Sequence, residues 1–183
     1  MAALTQVSAH TPTGGLAQRL PTAANDLRDD LDGFSRLETD PVADLDPWAR
    51  DHLGDLVELG RRCPAALAGD QLLHTDVRAD NLLIRASGEV VVVDWPHAGR
   101  GAPFTDALGL LVNAKLWDPA VDADALLDGH HPGDDDAVTT VLAGMAGYFL
   151  DAARKPAPEG LPRLRAFQAA QGAAALAWLR ERW

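Results

Sequence analysis

Two short apolar runs, residues 82–84 and 90–93, constrain this chain most, because they are the clearest strand signal in a sequence otherwise patterned for helices. The second run is four consecutive valines, and turn-like residues 86–89 separate the two runs. We therefore predict a β-hairpin at residues 82–94, preceded by one more short apolar run at residues 72–73. Strands this short cannot carry a core, so the fold should be mainly α with a small β-hairpin.

Helical spacing of apolar residues recurs on both sides of the hairpin. Residues 1–43 mix short apolar pieces with glycine and proline, which indicates short helices joined by loops. Asp46 followed by Pro47 is typical of a helix N-cap and first helical position, and this helix should end near residues 61–64. From Phe104 onward the helical pattern returns. No repeat or linker interrupts the 183 residues, so we expect one domain.

The charge balance argues against two classes of partner. With 16 basic and 27 acidic residues the formal net charge is -11, so neither a nucleic acid nor an anionic membrane is expected, whereas a cationic ligand is favoured. Cys63 is the only cysteine, which excludes an internal disulfide and fits a reducing cytoplasm. The longest apolar-rich run, residues 138–150, is too short to span a bilayer, and the amino terminus lacks a leader pattern. We therefore expect a soluble cytoplasmic protein.

The segment just before the hairpin holds the residues best suited to chemistry. It reads His74-Thr75-Asp76-Val77-Arg78-Ala79-Asp80-Asn81, and Asp94 follows at the end of the valine strand. Phosphoryl transfer from a nucleotide needs a carboxylate near the acceptor hydroxyl and oxygen ligands that hold Mg²⁺ against the phosphates. Asp76 can act at the hydroxyl while the Asn81 amide oxygen reaches the metal, and the hairpin would return Asp94 to the same place. An Asp at a strand end is by itself more often a turn residue, but the joint spacing agrees with a kinase catalytic loop.

Three stretches, residues 73–83, 92–95 and 101–108, resemble the aminoglycoside phosphotransferases and related kinase-like small-molecule phosphotransferases. The resemblance runs from the amino terminus to about residue 115, and beyond that point it rests on helical character. It implies a protein-kinase-like carboxy-terminal lobe with a catalytic loop at residues 74–81. It also implies a metal-binding strand at residues 90–94 and a helical substrate region at residues 104–183.

The resemblance also implies roles for individual side chains. Asp76 would be the catalytic base or the carboxylate that orients the acceptor hydroxyl, and Asn81 and Asp94 would bind Mg²⁺. Arg78 stands where protein kinases carry a lysine near the transferred phosphate, so it is either a transition-state contact or a plain surface arginine.

Two further residues of the pattern would support the loop. His74 would brace it through hydrogen bonds, as a satisfied core histidine also would. Asp106 resembles the structural acid that fastens the catalytic loop, although an acidic residue in the first turn of a helix has a simpler reason to be there.

Two positions depart from the usual patterns. Thr75 stands where the family usually has a small residue, often glycine, and Trp95 follows the metal-binding Asp where protein kinases have phenylalanine. The Trp resembles the phosphotransferase version, so Thr75 is the departure that matters. A competing metal site built from histidines is disfavoured, because these lack an i, i+4 pairing and a clear carboxylate or thiolate partner. The histidines in question are His74, His97, His130 and His131.

The sequence lacks the motifs with which kinase-like enzymes hold a nucleotide. Kinase-like enzymes grip the phosphates with a lysine and a glycine-rich loop that precede the catalytic loop. Both lysines, Lys115 and Lys155, follow the loop, and Gly14-Gly15 lacks the required spacing. We therefore expect the amino-terminal nucleotide lobe to be absent and the chain to turn over poorly alone. The donor would be ATP or GTP, and the residues that bind it are unknown.

The preferred interpretation is a phosphotransferase acting on a hydroxyl of a small cationic amino sugar or amino alcohol, as in antibiotic resistance. The acidic residues 134–136 could attract such an acceptor, but they are better suited to capping the following helix. The alternative is a non-catalytic binding or scaffold protein derived from a kinase-like lobe, and a metal-dependent hydrolase is a weaker third option. A dimer or a partner could cover the surface left by the missing lobe.

Overall fold

A computed structural model describes residues 1–130 and 134–183, and helices make up most of them. The helices are α1 (Ala2–Ser8), α2 (Gly14–Arg19), α3 (Ala23–Asp26), α4 (Gly33–Thr39), α5 (Pro47–Asp51), α6 (Leu53–Ala66), α7 (Thr105–Trp117), α8 (Ala123–His130), α9 (Asp135–Ala153) and α10 (Leu164–Glu181). Short 3-10 turns occur at Asp30–Asp32 and Ala79–Asn81. The predicted mainly helical class and the short helices of the amino-terminal region are confirmed.

Two small antiparallel sheets lie beside the helices. They are formed by β1 (Gln71–Leu73), β2 (Leu82–Ile84), β3 (Val90–Val92) and β4 (Gly99–Gly101). In the predicted hairpin β2 pairs with β3, with Leu82 opposite Val92, so this prediction is confirmed. The partner of β1 is β4, whose sequence Gly-Arg-Gly has no strand propensity. Gly69 explains the close pairing, because a Cβ there would lie 2.4 Å from the Gly101 carbonyl oxygen.

The predicted helix after Asp46 is two helices. Asp46 accepts hydrogen bonds from the backbone N–H groups of Trp48 and Ala49, and Pro47 begins α5, which confirms the predicted cap. The chain then bends at His52, and α6 continues past Pro64 to Ala66 rather than ending at residues 61–64. The buried face of α6 packs against α9, which outweighs the helical hydrogen bond lost at the proline.

Helix α9 is the centre of the core and packs against α4, α6, α7 and α10. Glycines bring two of these helices close to it. A Cβ on Gly33 would lie 2.1 Å from the Gly147 carbonyl oxygen, and a Cβ on Gly144 would lie 2.5 Å from the sulfur of Cys63. Burial raises the pKa of the Cys63 thiol to about 12, so this side chain packs as an apolar one.

A buried carboxylate ties α4 to α9. The Asp151 side chain is fully buried and lies 2.7 to 2.8 Å from Arg36, Arg154 and Lys155. Burial alone would raise the pKa of Asp151, but hydrogen bonds from Lys155, Arg36 and Arg154 outweigh it and lower the pKa to about 2. Arg36 also donates to the backbone carbonyls of Asp29 and Asp30, so the same network holds the first 3-10 turn in place.

The acidic residues at the start of α9 act in the helix and its ion pairs. The Asp134 side chain accepts hydrogen bonds from the N–H groups of Asp136 and Ala137, so the predicted cap is confirmed. Asp135 pairs with Arg182, and Asp136 pairs with Arg62. In the two described ranges, no helix combines the length and apolar character needed to cross a membrane.

Candidate active site

The loop at residues 74–81 is attached to the first turn of α7. The buried Asp106 carboxylate accepts hydrogen bonds from the backbone N–H groups of His74 at 2.7 Å and Thr75 at 2.8 Å. Burial raises the pKa of Asp106, although both of these hydrogen bonds favour the charged form. One side chain therefore holds the chain at the point where β1 ends and the loop begins.

Thr75 adopts a backbone conformation that favours glycine. Its φ angle is 63°, in the left-handed region that costs a β-branched residue about 1 to 2 kcal/mol. This conformation gives a physical reason for glycine as the usual residue at the position. The Thr75 hydroxyl donates to the carbonyl of His97 at 2.6 Å, which offsets part of that cost.

His74 joins the loop to the far strand of the hairpin. Its ring is fully buried, with Nε2 2.9 Å from the Val93 carbonyl oxygen and Nδ1 3.3 Å from the Asp76 backbone nitrogen. The neutral tautomer with hydrogen on Nε2 satisfies both contacts, because Nδ1 then accepts from the Asp76 N–H. Trp95 packs edge-on against the ring with centroids 4.8 Å apart. Both ring nitrogens of His74 take part in these hydrogen bonds, so neither is available to bind a metal.

The structure brings Asp76 and Asn81 together. The Asn81 side-chain nitrogen donates to the Asp76 backbone oxygen at 2.8 Å and lies 3.4 Å from its carboxylate. The backbone pairing of Asn81 with Val93, at 3.0 Å, then sets the next residue, Asp94, beside the loop. Asp94 has a φ angle of 63°, which Asp tolerates better than most residues. The hairpin therefore returns the backbone at Asp94 to the loop at residues 74–81, as the sequence spacing predicts.

Arg78 forms a planar pair with a residue that the sequence did not single out. Its Nε and Nη2 atoms each lie 3.1 Å from the Asp80 carboxylate, and its Nη1 lies 3.5 Å from Asp76. Hydrogen bonding to Asp80, together with the charges of Asp76 and Asp94, raises the pKa of Arg78. The same hydrogen bond lowers the pKa of Asp80. The sequence signal for this bidentate pair was an arginine two residues before an aspartate on the same loop.

The donor atoms at the loop suit a hard divalent cation. Magnesium prefers carboxylate and amide oxygens, and Asp94 and Asn81 supply one of each. Both side-chain hydrogen bonds of Asn81 among the described residues come from its amide nitrogen and go to Asp76. Its Oδ1 oxygen is therefore open to a metal. Among the described residues, this site included, no three His, Cys, Asp or Glu side chains are grouped so as to hold a metal, and the candidate ligands here are one carboxylate and one amide. Of the disfavoured histidine set, His131 lies outside the described residues.

A pocket of about 210 Å³ opens beside Asp76. Its walls come from the first 3-10 turn, the loop at residues 74–81, and helices α7, α9 and α10. Asp30, Tyr148 and Gln168 line it together with Asp76. No sequence pattern pointed to Asp30, Tyr148 or Gln168, because they lie far apart along the chain and meet only when the helices pack.

Both lysines are engaged away from this site. Lys115 is buried and lies 2.9 Å from Glu181, and Lys155 lies 2.8 Å from Asp151. Neither therefore serves the loop, as their positions in the sequence predict.

Comparison with known proteins identifies the family of this chain and a solved structure that it resembles. The phosphotransferase enzyme family profile matches residues 1–167, so the chain belongs to this family. The match extends past residue 115, beyond which the sequence resemblance rested on helical character. The structure is also similar to an aminoglycoside phosphotransferase from Alicyclobacillus acidocaldarius subsp. acidocaldarius DSM 446, with a TM-score of 0.57 and 19% identity. At this identity the likeness concerns the fold alone.

The similarity covers 97% of this chain but 63% of that aminoglycoside phosphotransferase. A comparison with curated protein sequences gives no significant match. Family membership and fold are therefore shown, whereas the acceptor and the activity of this chain are matters for proposal.

Proposed function

We propose that this chain forms the acceptor- and metal-binding part of a phosphotransferase that moves the terminal phosphoryl group of ATP or GTP to a hydroxyl of a small, amine-bearing molecule. The observation that carries the proposal is that Asn81 contacts Asp76, which lines a pocket, and pairs through its backbone with Val93, the residue before Asp94. Family membership supports the reaction class.

Asp76 is the proposed catalytic residue. Its carboxylate lines the pocket and is partly exposed, so an acceptor hydroxyl can donate a hydrogen bond to it and pass it a proton. The hydrogen bond from Asn81 fixes the backbone of Asp76 and so the position from which the Asp76 side chain extends. Positioning of this kind supplies much of the rate enhancement in phosphoryl transfer.

Asn81 and Asp94 are the proposed magnesium ligands, and a bound Mg²⁺ would neutralise charge on the donor phosphates. Arg78, which pairs with Asp80, places its guanidinium 3.5 Å from Asp76, and from this position it would stabilise negative charge on the transferred group. His74 and Asp106 would hold the loop in this conformation through the hydrogen bonds described above.

We propose that the residues that grip the nucleotide are not among these 183. The first 70 residues are helices and connections, and both lysines are engaged elsewhere. Leu83 and Ile84 on β2 are 55% and 76% exposed, an apolar surface suited to a nucleotide-binding part or a partner chain. A non-catalytic binding protein is the second candidate, because both lysines are in ion pairs and neither is free to bind nucleotide phosphates.

A nucleotide-consumption assay tests the proposal. The chain would be supplied with Mg²⁺, ATP or GTP, and a panel of aminoglycosides and smaller amino alcohols. Acceptor-dependent consumption that falls at least about 100-fold in Asp76→Asn supports the transferase. Asp128→Asn is the matched control, because this exposed acid on α8 is distant in sequence from the loop and has no role in the proposed chemistry.

Other outcomes separate the alternatives. Phosphate release without an acceptor would favour the hydrolase. Amine binding without binding of Mg-nucleotide would favour the non-catalytic protein. Turnover that is robust in the chain alone would contradict the idea that its nucleotide grip lies elsewhere.

A further inference from the structure

The pocket beside Asp76 is small and has an apolar wall. Its volume of about 210 Å³ is below the roughly 300 to 1,000 Å³ typical of sites for drug-sized ligands. The rings of Tyr148, Phe149 and Phe167 and the Met145 side chain line one side. A wall of this kind favours a compact ligand with an apolar or cationic surface.

Few charges line the same pocket. Asp30 and Asp76 are its acidic residues among those described, and Arg78 is its basic one. A polycationic sugar would need several carboxylates to replace the water around its ammonium groups. This pocket offers one carboxylate to a hydroxyl, at Asp76, and leaves one for a cation, at Asp30. The charge count therefore matches a ligand with one positive charge.

Asp30 is held at the rim of the pocket by its backbone. Arg36 donates to the carbonyls of Asp29 and Asp30 while its Nε binds the buried Asp151 at 2.7 Å. The Asp30 side chain takes part in none of these bonds, so the network fixes the backbone and leaves the carboxylate to the pocket. The proposed reaction at Asp76 gives no reason for this arrangement.

The electrostatics of the aromatic wall agree with a cation site. Burial raises the pKa of Tyr148, and the negative charges of Asp30 and Asp76 raise it further. Partial burial also raises the pKa of Asp30, although Arg36 and Lys155 act against this. Arg165 and a hydrogen bond with Gln168 act against the shift in the pKa of Tyr148, whereas Asp26 and Asp29 add negative charge around Asp30. A bound cation would reduce the repulsion among these carboxylates.

We propose that Asp30 is a specificity-determining residue that receives the cationic nitrogen of a compact amino alcohol, whose methylene or methyl groups pack on Tyr148 and whose hydroxyl reaches Asp76. The proposal rests on the proposed function, because it places the acceptor hydroxyl at the catalytic carboxylate. It narrows the acceptor from amine-bearing molecules in general to those with a single charge.

Binding to the chain without nucleotide tests the proposal directly. N,N-dimethylaminoethanol is protonated near neutral pH, and 3-methylbutan-1-ol is its uncharged isostere. NMR titration should show the amine binding about fivefold more tightly than the alcohol, since Asp30 is exposed at the rim and a solvent-screened ion pair is worth up to about that factor. Asp30→Asn should remove this difference. Asp29→Asn is the matched control, because its side chain lies on the same segment but does not line the pocket, and it should change affinity by less than about twofold.

A second variant guards against a folding defect. Tyr148→Leu should also weaken amine binding several-fold while the alcohol is little affected, because only the cation is attracted by the ring. Both variants should keep a cooperative unfolding transition. Equal binding of amine and alcohol, unchanged amine binding in Asp30→Asn, no binding of the amine to the wild-type chain, or tighter binding of kanamycin that ignores Asp30 would each overturn the proposal.

Failure of this inference can be told from failure of the proposed function. Asp30-dependent amine binding with no phosphoryl transfer under any condition would leave the binding site standing and remove the transferase. Transfer to an amino alcohol whose KM is the same in wild type and Asp30→Asn would keep the transferase and remove the role of Asp30.

Discussion

Removing the Asp106 carboxylate should detach the loop at residues 74–81 from α7. In Asp106→Ala the backbone N–H groups of His74 and Thr75 lose their acceptor in a buried position, and charged hydrogen bonds contribute roughly 1.5 to 3 kcal/mol each. Burial also raises the pKa of Asp106, so truncation relieves some cost of holding the charge there. The expected net loss in free energy of unfolding is about 3 kcal/mol, a large part of the roughly 5 to 15 kcal/mol that stabilises a domain.

Urea unfolding and amide hydrogen exchange measure this effect. With a denaturant slope of about 2 kcal/mol per molar, the midpoint should fall by about 1.5 M urea. Exchange protection should be lost first at His74 and Thr75. Asp55→Ala is the matched control, since Asp55 also lies in the first turn of a helix but is exposed, and it should cost less than about 1 kcal/mol. Equal midpoints for Asp106→Ala and Asp55→Ala would refute the reasoning.

Three other predictions concern stability. Folding lowers the pKa of Asp151 to about 2, so its contribution to the free energy of unfolding, about 2 kcal/mol, is complete above pH 3.8 and is lost as the pH falls toward 2. Unfolding measured across this acid range should show the loss, and Asp151→Asn should lack it. Thr75→Val keeps the branched side chain in the left-handed region without its hydroxyl, so thermal unfolding should find it about 1 to 2 kcal/mol less stable than Thr75→Gly, and the opposite order would contradict the strain argument. Gly33→Ala should lose at least about 3 kcal/mol through its clash with α9, whereas Gly54→Ala, with open space around it, should gain about 0.5 kcal/mol; similar urea midpoints would exclude the close approach.

Local patterns predicted the parts of the fold that depend on neighbouring residues. The hairpin follows from β-branched runs around a turn, and the start of α5 follows from the Asp46 cap and Pro47. Strand β4 and helix α8 were not predicted. Strand β4 exists because close packing against Gly69 places its backbone beside β1, not because Gly-Arg-Gly favours a strand.

The same division holds in the candidate site. The spacing from Asp76 to Asn81 and the hairpin that follows determined that Asn81 would contact Asp76 and that Val93, the residue before Asp94, would pair with Asn81, because a short loop and a tight turn leave the chain few alternatives. The pairing of Arg78 with Asp80 is equally local, and it was open to prediction.

The sequence by itself determined the loop at residues 74–81, the hairpin and the helical class, because hydrogen bonds and side-chain periods over a few residues specify them. Tertiary structure alone decided the pocket. Asp30 and Tyr148 are separated by more than a hundred residues, and they meet because Gly33 and Gly147 let two helices approach closely while Asp151 binds Arg36 across the junction. Such contacts depend on the packing of whole helices, which no local pattern encodes.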